Sequence, residues 1–224
     1  MSIAKNLQQV NNRIGEACAR SGRDADGVTL VAVTKYAPLD AVRELIAAGQ
    51  TVLGESRPQQ LLERSKELAD EEISWHLIGH LQRNKARRVL PVAERIHSVD
   101  SHRLADSLDR LARELELRPK ILIEVNVAGE DSKDGFDVIS LRAVWPRLER
   151  LEHLEITGLM TMAPHDDDPE KARDVFRQLR ELRDELAAGG NRPLPELSMG
   201  MSGDFEVAIE EGATMVRVGS LLFG

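Results

Sequence analysis

Residues Gly27–Pro38 read GVTLVAVTKYAP. The β-branched and apolar run Val28–Val33 stops just short of a lysine, Lys35. Pro38 then opens an amphipathic stretch carrying Leu39, Val42, Leu45 and Ile46, which Gly49 closes. A short apolar run followed by proline at a helix N1 position and glycine past the helix end reads as a buried strand feeding a helix. Working outward, the same unit recurs along the whole chain. Strands are expected at Thr51–Leu53, Ile73–Ile78, Arg95–Val99, Lys120–Val127, Glu155–Met162, Glu196–Met199 and Thr214–Val218.

Helical periodicity fills the gaps. Leu61, Leu62 and Leu68 mark one helix, and Leu81–Leu90 another. Ser101 caps a third with Leu104, Leu108, Leu111 and Leu115 on one face. A helix from about Val138 contains Pro146, where a kink or break is expected. Asp168-Pro169-Glu170 starts a long helix with Val175, Phe176, Leu179, Leu182 and Leu186, and a last helix is expected near Asp204–Glu211. Strict strand–helix alternation implies parallel pairing with right-handed crossovers. Eight such units predict an α/β fold, a (β/α)8 TIM barrel forming one domain over residues 1–224. An extra N-terminal helix carries Ile3, Leu7, Val10, Ile14 and Ala17. An open doubly wound sheet would usually show a glycine-rich dinucleotide turn after its first strand, and Thr34–Pro38 is not one.

Composition narrows the function. A formal net charge of -8 argues against a nucleic-acid partner. The basic cluster Gln82–Arg88 reads as a solvated helix face. Cys18 is the only cysteine and adjoins the apolar face of the first helix, so neither a disulfide framework nor a metal site is expected. No apolar run approaches membrane-spanning length and no signal-peptide core opens the chain, so a cytoplasmic monomer without membrane contact is expected.

In a barrel the chemistry belongs at the C-terminal ends of the strands. Alternation puts Val31, Val33 and Lys35 on one face, so Lys35 is expected to point up the mouth, desolvated enough to serve as an amine nucleophile. Gly200, Ser202 and Gly203 follow the seventh strand, and Gly219 and Ser220 the eighth. Loops at these two places commonly hold a phosphate through backbone N–H groups, a hydroxyl and a helix dipole. Arg217, inside the apolar run Met215–Gly219, is costly to bury unless it meets an anion or polar ligand. An amine, a phosphate cradle and a fixed guanidinium suit a phosphate-bearing aldehyde. Pyridoxal phosphate is the first candidate and a sugar phosphate the second. His76 reads as a hydrogen-bonded core residue, and Met160, Met162, Met199 and Met201 as core filler. Glu124 and Asn126 read as one polar layer, and Lys133 and Asp134 as part of a lid.

VAVTK, LGES, WHLIGHLQRNK, DSKDGF, GLMTM and the block Leu197–Gly224, LSMGMSGDFEVAIEEGATMVRVGSLLFG, resemble the pyridoxal-phosphate homeostasis protein family along nearly the whole chain. That family is similar in fold to the N-terminal barrel domain of alanine racemase. The resemblance implies cofactor bound to Lys35 as a Schiff base, phosphate contacts from Ser202, Gly219 and Ser220, and Arg217 near the ring nitrogen. It implies a cofactor carrier or regulator rather than an enzyme, with pyridoxal-phosphate-dependent apoenzymes as partners and no catalytic residue. The rival readings are an amino-acid racemase and a Schiff-base aldolase. Ser56 departs from the asparagine common in the family after Gly-Glu. Relatives often continue a few residues past the position of Gly224, so a shorter cap over the phosphate is expected.

Overall fold

The computed structural model describes residues 2–130 and 134–224. Eight parallel strands close into a barrel in sequence order: β1 (Thr29–Val33), β2 (Val52–Glu55), β3 (Ser74–Leu77), β4 (Arg95–Val99), β5 (Lys120–Glu124), β6 (Glu155–Met160), β7 (Glu196–Met201) and β8 (Met215–Val218). Pairing of β1 with β8 closes the ring. Helices α1 (Ile3–Arg20), α2 (Leu39–Ala47), α3 (Pro58–Glu67), α4 (Arg83–Val89), α5 (His102–Glu114), α6 (Val138–Leu148), α7 (Arg173–Gly189), α8 (Phe205–Glu210) and α9 (Ser220–Phe223) complete the fold. Among the described residues no helix is long and apolar enough to cross a membrane.

Local chemistry explains the element ends. Ser2, Ser101 and Asp137 cap α1, α5 and α6 by accepting backbone N–H groups of Lys5, Leu104 and Ser140. Pro38 stands at the N-cap of α2, one place earlier than expected. Helix α6 runs through Pro146 and ends at Leu148, because a proline so near the C-terminus sacrifices only one late hydrogen bond. The extra helix α1 lies against α2, α8 and α9. Its buried Leu7, Val10, Ile14, Ala17 and Cys18 join the main core. Arg13 and Arg20 reach Glu206 and Glu210 of α8, and the Arg13 guanidinium sits 4.7 Å from the Phe205 ring centroid.

Two cores result. The larger lies between strands and helices. The smaller plugs the lumen with Val31, Leu122, Met160 and Met215, one side chain each from β1, β5, β6 and β8. Met160 and Met199 are buried as expected, while Met162 and Met201 are only partly so. The register of β7 against β8 shifts between Ser198 and Met201, a bulge beside Arg217. Gly200 takes φ +90° there, and a Cβ would come within 2.9 Å of Phe205 Cα.

Candidate functional site

The parallel pairing of β1 with β8 places Val31 opposite Arg217, and Ala32 opposite Val218. The residues just beyond these strands therefore share one rim. Strand β1 ends at Val33, and Thr34–Ala37 forms a turn closed by the Ala37 N–H donating to the Thr34 carbonyl at 2.9 Å. Lys35 sits in this turn, exposed, with Nζ 5.0 Å from the Tyr36 ring centroid. The expected desolvation of Lys35 is not found. The strand ends where the apolar run ends, at Val33, and Lys35 stands two residues beyond it, in the turn.

The turn is braced from below. Thr34 Oγ1 donates to Glu55 Oε1 at 2.6 Å, and Arg64 Nε lies 3.2 Å from the same oxygen. Arg64 Nη2 donates to the Ala37 carbonyl at 2.6 Å, and Gln60 Nε2 to the Lys35 carbonyl at 2.9 Å. Glu55 and Arg64 are buried, and burial pushes the Glu55 carboxyl up against the opposing pull of Thr34 and Arg64. Both ends of the lysine turn are thus tied to β2 and α3.

Ser202 and Gly219 meet directly, the Gly219 N–H donating to Ser202 Oγ at 3.2 Å. Ser220, the next residue, is exposed at the start of α9. A Cβ on Gly219 would lie 3.0 Å from the Val33 carbonyl oxygen, so glycine lets this loop lie close to the end of β1 without pushing it aside. Asp204 holds the loop after β7 by accepting the Met201 N–H at 2.6 Å. Burial raises the Asp204 carboxyl, opposed by that hydrogen bond and by Arg217.

Arg217 is buried beneath this rim. Its Nη1 donates to Ser198 Oγ at 2.6 Å and its Nη2 to the Thr161 carbonyl at 2.9 Å. Burial draws its pKa down to about 10, against the opposing influence of Asp204 and Glu124. The guanidinium remains charged at neutral pH.

Ser198 Oγ also meets His97 Nδ1 at 2.8 Å, and His97 Nε2 meets His76 Nδ1 at 2.9 Å. Strands β4 and β7 are not neighbours, so the His97–Ser198 bond spans the lumen. His76 is the hydrogen-bonded core residue expected; His97, Ser198 and Thr161 are partners that sequence reasoning missed. The alternation of Arg95 with His97 in β4 and of Glu196 with Ser198 in β7 was the available signal.

Glu124, at the end of β5, is buried and its pKa is pushed up to about 7, first by burial and then by Asp100 and Asp134. Asp100 and Asp134 flank His80 Nδ1 at 2.9 and 3.5 Å. Asn126, expected in one polar layer with Glu124, stands two residues past the end of β5. It closes its own loop, exchanging hydrogen bonds with the backbone of Glu130. Lys133, assigned above to a lid, lies outside the described residues.

With this geometry in place, the comparisons with known proteins converge. The pattern of the alanine racemase N-terminal domain family matches residues 2–224. A pyridoxal phosphate homeostasis protein of Aquifex aeolicus is 43% identical over 224 residues, which is all of this chain and 98% of that protein. The chain belongs to the pyridoxal phosphate homeostasis protein family. The structure of PipY from Synechococcus elongatus with PLP bound is 40% identical and superposes with a TM-score of 0.87, over 99% of this chain and all of that one. The alanine racemase of Clostridium difficile in complex with cycloserine has a TM-score of 0.77 at 17% identity, a likeness of fold. All of this chain covers 59% of that enzyme.

Proposed function

We propose that this chain, acting over residues 1–224 as one domain, holds pyridoxal 5'-phosphate in the cytoplasm and contributes to its homeostasis. Lys35 Nζ condenses with the aldehyde, releasing water, to leave a Schiff base. Ser202 and Ser220, through their hydroxyls, and Gly219 and Ser220, through backbone N–H groups, take the phosphate. Arg217 donates toward the ring nitrogen. The carrying observation is the rim itself, where an exposed lysine and a glycine-narrowed N–H and O–H cradle stand over a buried guanidinium. That donor set fits a phosphate ester bearing an aldehyde.

When bound, pyridoxal phosphate supplies a reactive carbonyl and an electron-withdrawing ring. This chain gives that ring little help in catalysis. A guanidinium can only donate, so it leaves a ring nitrogen unprotonated. A racemase also requires a second base on the opposite face of the substrate. The only tyrosine, Tyr36, adjoins the lysine and is exposed. The reading is therefore of a monomeric carrier that exchanges cofactor with apoenzymes and has no catalytic reaction of its own.

Borohydride reduction of the protein loaded with pyridoxal phosphate, followed by peptide mapping, should find the pyridoxyl group on Lys35. Label on another lysine would overturn the assignment. Incubation with L-alanine or L-serine in deuterated water should leave Cα unexchanged. Exchange at enzyme-like rates, lost in Lys35→Ala, would replace the carrier by a racemase.

A further inference from the structure

The polar chain through the lumen has a direction, and both of its ends dictate the same one. Arg217 bears only donors, so its Nη1–H gives to Ser198 Oγ. The Ser198 hydroxyl then turns its own proton to His97 Nδ1. A neutral ring accepting at Nδ1 carries its proton on Nε2, and His97 passes that hydrogen bond to His76 Nδ1. By the same step His76 donates from Nε2 to Ser74 Oγ, at 3.2 Å. Ser74 in turn donates to Glu94 Oε2 at 2.7 Å.

From the far end, the Glu94 carboxylate accepts only, so Ser74 has spent its one proton there and must accept from His76. Both ends of the chain require the same tautomer, Nε2–H, of both rings. Their neutrality has a physical cause. Burial opposes charge on His97 and His76, and Arg95 bears on both rings, with Arg217 bearing on His97 as well.

We propose that Ser198, His97 and His76 are positioning residues, forming a one-way donor chain that holds the Arg217 guanidinium in a single plane, turned to the ring nitrogen of the cofactor. The second anchor is the Thr161 carbonyl. With Nη1 and Nη2 both engaged, the planar group has no freedom to turn. The role rests on the proposed approach of Arg217 to the ring nitrogen of pyridoxal phosphate; the chain of tautomers does not.

Two measurements separate them. Long-range proton–nitrogen correlation on the uniformly nitrogen-15-labelled, cofactor-free protein should show His76 and His97 as neutral Nε2–H tautomers from pH 7 to 9. Either ring in the Nδ1–H form would overturn the chain. Titration with pyridoxal phosphate, followed by its Schiff-base absorption, should show His97→Phe binding about tenfold more weakly, with a displaced absorption band. His97→Gln, whose amide both accepts and donates, should return to within about threefold of the parent. Parent-like affinity and band position in His97→Phe would overturn the positioning role. If His97→Phe fails to fold, Ser198→Ala, which removes the link between His97 and Arg217, should show the same weakening and displaced band, and parent-like values there would overturn the role. A parent that forms no Schiff base at Lys35 would sink the functional reading and this role with it, while the tautomers still report on the chain.

Discussion

The rim and the lumen beneath it solve opposite problems. At the rim, Lys35 and Ser220 are exposed, and the Lys35 amine has the Tyr36 ring beside it. In the lumen, Arg217, Ser198, His97 and His76 are buried and every one is hydrogen-bonded to the next. Exposed groups lose little by waiting for a ligand, since water satisfies them meanwhile. Buried groups have no such substitute, and an unpaired one is costly. The difference assigns capture to the rim and orientation to the lumen, and mutations should separate the two.

The largest effect should come from Lys35→Ala. It should abolish the Schiff-base absorption of the protein mixed with pyridoxal phosphate while leaving the melting temperature within a degree or two, because an exposed side chain contributes little to stability. Residual weak binding through the phosphate cradle is compatible with this outcome. Survival of the absorption band is not.

Arg217→Met should do the reverse, striking stability as well as binding. It leaves the Ser198 hydroxyl and the Thr161 carbonyl without their donor, at about 1–3 kcal/mol for each buried group left unsatisfied. Urea denaturation should register a lowered midpoint in the cofactor-free protein. An unchanged midpoint would mean that water replaces the guanidinium, and that the lumen is wetter than its packing indicates.

These two variants test features that differed greatly in how legible they were. The strand–helix rhythm announced the barrel because periodicity is local, and Val28–Val33 or Arg95–Val99 needs no partner to be read. Arg217 was legible as a problem: a charge inside Met215–Val218 demands an answer. Its answer was not legible, because Ser198 precedes it by a bulged strand and His97 lies across the lumen, 101 residues from Ser198. Only closure of the ring brings them together. The brace on the lysine turn was missed for a related reason. Thr34 follows Val33 in step with Gly54 and Glu55 of β2, and no local pattern reveals that it bonds the buried Glu55 carboxylate.

Ser202→Ala should have a middling effect confined to the rim. The hydroxyl accepts the Gly219 N–H, so its loss frees one donor and removes another. A charge-assisted hydrogen bond contributes about 1.5–3 kcal/mol, so affinity for pyridoxal phosphate should fall roughly tenfold to a hundredfold, with Lys35 still labelled by borohydride. Parent-like affinity in both Ser202→Ala and Ser220→Ala would move the phosphate elsewhere.

The smallest effect is a slope, and it distinguishes the two kinds of buried titratable group in the barrel. His76 has its pKa lowered by burial to about 3, from 6.5. The unfolded chain therefore binds a proton below about pH 6.5 that the folded chain refuses, and stability drains away as pH falls toward 3. His97, lowered for the same reason, adds to that loss. Glu124 runs the other way. Its carboxyl is raised from 4.5 to about 7, first by burial, then by Asp100 and Asp134, with Arg217 and His80 opposing. Between those values the folded chain keeps a proton that the unfolded chain has released. Its contribution is present in full below pH 4.5 and is lost as pH rises to 7. Within that window the carboxyl partly offsets the two histidines. Glu124→Gln removes the offset and nothing from the histidines. The cofactor-free variant should be more stable than the parent above pH 7, with the gap closing by at most about 1.4 kcal/mol per pH unit as the solution is acidified. Urea midpoints measured from pH 8 down to 4.5 will show this convergence. A gap that stays constant across the range would mean that Glu124 titrates in the folded protein as it does in the unfolded chain.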